Sequence, residues 1–144
     1  MADVQNYANH KKYVFGYHRV AVLLVAFQIV MAIKALVAAP SAETAAGVAA
    51  GVALFLVAFY ARSFALQVQN RVIRLEERLR MATLLPGDLQ GRVGEIRMGS
   101  YVALRFASDA ELPGLVRRVL AGELATSDSI KRAIKDWRPD HDRA

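Results

Sequence analysis

A chain of 144 residues has room for one compact domain, or for a membrane hairpin with a small soluble piece, but not for two ordinary domains. Its 55% hydrophobic content is high for a soluble protein and its 22% charged content is ordinary, while a formal charge of +6 favours anionic partners: lipid headgroups, nucleic acid or an acidic protein. The absence of cysteine excludes a disulfide framework, a thiolate nucleophile and a thiolate-held metal.

Charge and grease are segregated along the chain. From Arg62 onward there are 15 Lys and Arg against 11 Asp and Glu, whereas the first 61 residues carry only 4 against 2. The leading segment, 1–19, is polar and contains Lys11, Lys12 and Arg19. It is followed by an apolar run over 20–37, broken only by Gln28 and Lys34. At about 1.5 Å per residue this run extends roughly 27 Å, enough to cross a hydrocarbon core with help from its flanks. Lys34 lies one turn from the end of the run, where its stem can carry the ammonium to the interface. A cleaved signal peptide would also place positive residues before an apolar run, but the internal lysine and the long polar lead argue against one.

The connector 38–44 holds Pro40, Ser41 and Glu43, which predict a turn and the start of a second helix. The run 45–61 then contains no charge, and Arg62 closes it. Both runs are apolar nearly all round, unlike soluble-bundle helices with a polar stripe, so they predict a transmembrane hairpin over 20–64 with spans of about 20–39 and 44–64. Lys11, Lys12 and Arg19 precede the first span, and Arg62 and Arg71 with further arginines follow the second, while the connector has no positive residue. Positive residues near span ends are retained in the cytoplasm, so both termini are expected there, with these five residues against lipid headgroups. Within the second span Gly47 and Gly51 form a small-xxx-small pair that lets another helix approach closely, and Gln28 can add an interhelical hydrogen bond; packing within the chain is the simplest use of that face.

No Gly or Pro interrupts 62–85, so the second span is expected to continue as one helix out of the membrane. Val68, Val72, Leu75, Leu79 and Ala82 recur at spacings of four and three, the stripe of a short coiled coil or of a helix packed on a neighbour. Pro86 and Gly87 end that helix. Weak helical pieces are expected over 88–96 and 100–107, then an S-x-x-E capping box at Ser108 and Glu111 opening a helix with Leu112, Leu115, Val116, Val119 and Leu120 inward. Ser127 should cap a last helix in which Ile130, Ile134 and Trp137 share a face. Such short helices need one another to bury their faces, so 65–144 reads as a cytoplasmic helical module and the chain as all-α.

Chemistry is sparse. His18 has no second histidine in the other span to complete a bis-histidine site, and Asp140, His141 and Asp142 sit in a tail with nothing to fix their geometry. Glu76 and Glu77 point to different helix faces, and no phosphate loop or nucleophile with a base is evident. The expectation is a protein that is not an enzyme and holds no cofactor or metal. Its expected partners are membrane lipid and a protein or a second copy of itself, with Arg74, Arg78, Trp137 and Arg138 the docking candidates. A charge balance this mild, and aromatics this apolar in context, count against nucleic acid.

The segments Gln5-Asn6-Tyr7, Asn9-His10, Gly16 and His18, the stretch from Arg71 to Arg80 leading to Leu84-Leu85-Pro86, the stretch from Ala103 to Pro113, and the stretch from Ile134 to Asp140 cover most of the chain. In them the sequence resembles an uncharacterised bacterial family of short two-span membrane proteins, classed as a domain of unknown function. That resemblance implies a bacterial cytoplasmic (inner) membrane and supplies no catalytic residues. The reading that follows is a non-catalytic membrane accessory or scaffold protein, with an anionic-lipid- or nucleic-acid-responsive membrane-anchored module as the alternative.

Overall fold

The computed structural model describes residues 5–10 and 13–140, and among them every regular element is a helix. Two compact units emerge: one over residues 13–65, the other joining residues 5–10 to 66–140.

In the first unit a π-helical turn, Gly16–Ala21, leads into α1, Val22–Ala38, and after a short connector α2 begins at Ala42. The helical segment thus starts a turn upstream of the apolar run. α1 stops at Ala39, whose ψ of 83° leaves the helix just before Pro40, a residue that cannot donate an amide and restricts its predecessor. α2 opens with a reciprocal cap: the Thr44 amide donates to Ser41 Oγ at 3.1 Å, and the Ser41 amide donates to Thr44 Oγ1 at 3.0 Å. The two segments Gly16–Ala38 and Ala42–Leu84 are long and apolar enough to cross a membrane, and their large side chains face outward: Leu23, Phe27, Val37, Val57 and Phe59 are all more than half exposed.

α2, Ala42–Leu84, continues without interruption for 43 residues and enters the second unit. It ends where Pro86 removes a donor, and Gln90 Nε2 covers the last carbonyls by donating to Leu85 O at 2.9 Å and Ala82 O at 3.2 Å. Then follow α3, Gly87–Gln90; a 3-10 turn, Val93–Glu95; α4, Met98–Leu104; α5, Leu112–Leu120; and α6, Ser127–Ala133. Their common core is formed by Met81, Leu85, Tyr101, Leu104, Phe106, Leu112, Val116 and Ile130, all buried. Tyr101 keeps its hydroxyl satisfied there by donating to Val93 O at 2.6 Å.

For the α2 stripe, packing within the module is set aside, and three further local expectations are corrected. α2 enters this core through Met81, with Leu85 just past its end, and buries Ile73 and Glu77 on the same side, whereas the Val68, Val72, Leu75, Leu79 stripe stays exposed, because the heptad-like spacing marks a different face from the one the module covers. The Ser108–Glu111 box does not form: the Glu111 carboxylate instead accepts from the amides of Lys135 and Asp136 at 3.1 Å, drawn to a turn with free donors, and Ser108 Oγ is buried without a hydrogen-bond partner. The capping box lies at Thr126 and Ser129, one residue before the Ser127 expected to cap, and Ser127 Oγ donates to Gly99 O in α4. Finally, Ile134 and Trp137 do not continue a helix with Ile130. The chain turns extended at Ile134 so that 136–138 pairs with 106–108 in an isolated antiparallel bridge, with Arg138 N donating to Phe106 O at 2.8 Å and Ser108 N to Asp136 O at 3.1 Å.

Candidate functional site

The polar chemistry of the second unit converges on one groove of about 650 Å³, lined by Gln69, Glu76, Glu77, Arg80, Arg105, Arg138 and Asp140 among others. α2 supplies Glu77 from the face turned toward the module, and burial there forces the carboxylate to find cations. Arg80, one turn on, pairs with it at 3.1 Å, and Arg138 approaches at 3.9 Å. Burial pushes the Glu77 carboxyl above its ordinary value, with the two arginines pulling the other way. The Arg80 guanidinium is nearly buried and ties α2 to the segment between α4 and α5, reaching Asp109 at 2.6 Å and the Ala107 carbonyl at 2.6 Å as well as Glu77.

At the far side of the groove Arg105 pairs with Asp140 at 2.9 Å and lies over the Phe106 ring at 4.5 Å. Gln69 contributes a buried side-chain oxygen that has no hydrogen-bond partner. The groove therefore offers charge-assisted hydrogen bonds of both signs, and among the described residues its lining contains no hydroxyl, thiol or imidazole. Among the described residues no group of three or more His, Asp or Glu is placed to hold a metal ion, and His141 and Asp142 lie outside them.

The leading segment is stitched into the same unit. Asn6 and Asn9 close a turn on themselves, the Asn6 side-chain oxygen accepting from the Ala8 amide at 2.8 Å and Asn9 Oδ1 from the Asn6 amide at 2.6 Å. Gln5 is buried and exchanges two hydrogen bonds with the Asp140 backbone, its oxygen accepting at 2.7 Å and its amide nitrogen donating at 3.3 Å. Tyr7 Oη donates to Asp128, and buried His10 stands about 6 Å from both the Phe106 and Trp137 rings. His10 Nδ1 faces Tyr7 O at 2.7 Å and Nε2 faces Lys131 Nζ at 3.0 Å. A carbonyl only accepts and an ammonium only donates, so these two contacts suit the tautomer with the proton on Nδ1.

The structure brings together Gln28, Gly47 and Gly51: Gln28 Nε2 donates to Gly47 O at 3.2 Å, while its oxygen lies against Gly51, where a Cβ would also meet Ile29 Cγ1 at 2.8 Å. Of the lipid-headgroup candidates Arg19 and Arg71 are exposed and Arg62 partly so, and Lys11 and Lys12 lie outside the described residues. Arg19 stands over the Tyr13 and Phe15 rings at 5.8 and 5.9 Å. The docking candidates are not alike. Arg74 and Arg78 are exposed and Arg138 borders the groove, whereas Trp137 is half-buried against Phe106, 5.1 Å between ring centres, and so spends its apolar surface on the core.

Sequence reasoning singled out neither the Glu77–Arg80 pair as a buried centre nor Gln5, Tyr7 and His10 as module residues. Glu77 and Arg80 sit in a charge-laced helix that reads as solvated, and the leading segment has no periodicity. The available signal was chemical: Gln5, Asn6, Asn9 and His10 crowd into six residues, and side chains rich in donors and acceptors at that density are suited to a fixed turn and long-range hydrogen bonds.

No curated protein and no solved structure matches the chain. A match over residues 1–144 is found with the family described as Family of unknown function (DUF6526), and the chain belongs to that family.

Proposed function

We propose that the chain is a non-catalytic accessory or scaffold protein of the bacterial cytoplasmic membrane, anchored by a two-span hairpin with both ends in the cytoplasm, and that its charged helical module docks a protein partner. The observation carrying this reading is that residues 5–10 and 66–140 share one folded unit, although two outward-facing apolar helical segments lie between them in the chain. An even number of crossings returns the chain to the side it left, as that shared unit requires. Outward Leu, Val and Phe side chains along both helices call for an apolar solvent, and the positive residues at their outer ends favour a cytoplasmic side. Arg74, Arg78 and Arg138 supply a basic surface beside the groove, suited to acidic groups on a partner.

Reporter fusions test the topology: one inserted at Ser41 should report the external side and one after the last residue the cytoplasm, and external signals from both would overturn the hairpin. Gentle extraction followed by mass spectrometry tests docking. Neutral substitutions of Arg74, Arg78 and Arg138 together should release a co-purifying protein, and retention of every such protein would remove the docking face.

The alternative, response to an anionic membrane surface, is supported by the exposure of Arg19 and Arg71 at the outer ends of the apolar segments. Each such residue gains about 1 kcal/mol near an anionic leaflet. In native membranes doped with anionic lipid, the proteolytic accessibility of residues 66–140 should then change with salt; a flat response would dismiss it.

A further inference from the structure

The stripe on α2 that the module leaves uncovered is not a neutral remainder. Val68, Val72, Leu75 and Leu79 are 62%, 48%, 60% and 64% exposed, a continuous apolar seam over more than three turns beside an otherwise charged surface. Their spacing of four, three and four is that of the a and d positions of a heptad, with Val72 and Leu79 at a and Val68 and Leu75 at d. On that register the buried residues Ile73, Glu77 and Met81 fall at b, f and c, away from the a and d positions, and the seam meets the module only at the edge of the groove, where Val72 and Glu76 line it.

The flanking charges select what covers the seam. The g positions are Arg71 and Arg78, and the e positions include Glu76; all three are exposed. In a parallel pair of such helices the g residue of one faces the following e residue of the other, so Arg71 meets Glu76 of the second copy, and by symmetry the pair forms twice. In an antiparallel pair g faces g, which sets Arg71 against Arg78. A lipid surface would be served by the arginines and opposed by Glu76. The face is therefore self-complementary in the parallel sense only.

We propose that two copies of this chain associate in parallel through the Val68–Val72–Leu75–Leu79 seam, with register set by reciprocal Arg71–Glu76 pairs. Two heptads are a short zipper for free helices. Copies held in one membrane with a common orientation meet at a raised effective concentration, which offsets that weakness. This last step rests on the membrane reading above; the charge pattern does not.

The described chain has no cysteine, so single cysteines report the interface in native membranes without background. V68C and L75C, at the seam, should form disulfide-linked dimers under mild oxidation, and Q67C and R74C, exposed on the same helix but off the seam, should not. R71E alone or E76R alone should lower linkage through L75C by roughly tenfold, since attraction becomes repulsion at two symmetric pairs. The double change R71E/E76R should restore it. Linkage that is equal at all four positions, or that the double change fails to restore, overturns the proposal. Membrane-bound protein with no linkage at Leu75 rejects the dimer while leaving the hairpin standing, and protein found in the soluble fraction rejects the hairpin while linkage at Leu75 remains readable.

Discussion

Tyr7 Oη donates to Asp128 Oδ1 at 2.5 Å, a hydrogen bond between residues 121 positions apart. It fastens the leading segment to the first turn of α6, and Arg132 supports it by pairing with the same carboxylate at 2.8 Å. The Tyr7 hydroxyl, and then the Arg132 charge, hold the Asp128 carboxyl below the usual aspartate range.

A carboxyl whose folded-state value is lowered contributes stability that is present above its unfolded value and lost as pH falls through the folded one. Acidification below the usual aspartate range should therefore loosen residues 5–10 before the core of the module opens. Y7F should produce the same loosening at neutral pH, a few-fold faster amide exchange confined to the leading segment, with the core residues of α4 and α5 unaffected. Uniform protection of residues 7–10 in wild type and Y7F would show that the bond fastens nothing.

Glu77 carries the opposite sign. Its folded-state value is raised by burial, so its contribution is greatest below the ordinary glutamate value and is lost as pH rises through the raised one. E77Q keeps the shape and removes the titration, so its stability relative to wild type should improve as pH climbs from acid toward neutral. Removing the partner is a different experiment. R80A strands a buried carboxylate and leaves the Ala107 carbonyl without its donor, and should cost about 3 to 5 kcal/mol by denaturant titration at neutral pH. A cost under about 1 kcal/mol would mean that water reaches Glu77 freely.

Between the two apolar helices the test residue is Gly51, which is buried against Gln28 and Ile29. A methyl there collides with the Gln28 side-chain oxygen and with Ile29 Cγ1, so G51A must either swing Gln28 away from Gly47 O or part the helices, at about 1 to 3 kcal/mol. G47A is the control: its added carbon would rest 3.9 Å from Ala32 Cβ, ordinary contact, and should be tolerated. Steric trapping in detergent micelles would rank the two, and equal losses would refute the geometry.

How far each of these features could be read from sequence depends on whether it leaves a run or a period. The two apolar runs have no period and were legible instead from their length and near-absence of charge, and the continuous course of α2 followed from the lack of any Gly or Pro over 62–85. The inward face of α5 was likewise visible, with Leu112, Leu115 and Val116 buried. What sequence could not supply was which of two faces of α2 the module would cover, because Ile73, Met81 and Leu85 compete there with a longer and more regular stripe. Nor could it show that Gln5 and His10 belong to a unit built mainly from residues beyond 65, since long-range hydrogen bonds of polar side chains leave no repeat to detect.

The two candidate caps make that distinction measurable. Ser108 with Glu111 carries the sequence signature, yet Ser108 Oγ is buried without a partner and Glu111 serves the amides of Lys135 and Asp136. Thr126 lacks the acidic residue of the usual box, yet its Oγ1 accepts from the Ser129 amide at 3.1 Å, and Ser129 Oγ accepts in return from the Thr126 amide at 3.1 Å. Loss of a working cap costs about 1 kcal/mol, whereas deleting a buried hydroxyl that bonds nothing removes a desolvation cost along with its packing. T126A should therefore destabilise the module by about 1 kcal/mol and speed exchange in the first turn of α6. S108A should change stability by less than about 0.5 kcal/mol, and a larger loss from S108A than from T126A would place the working cap at the head of α5 instead.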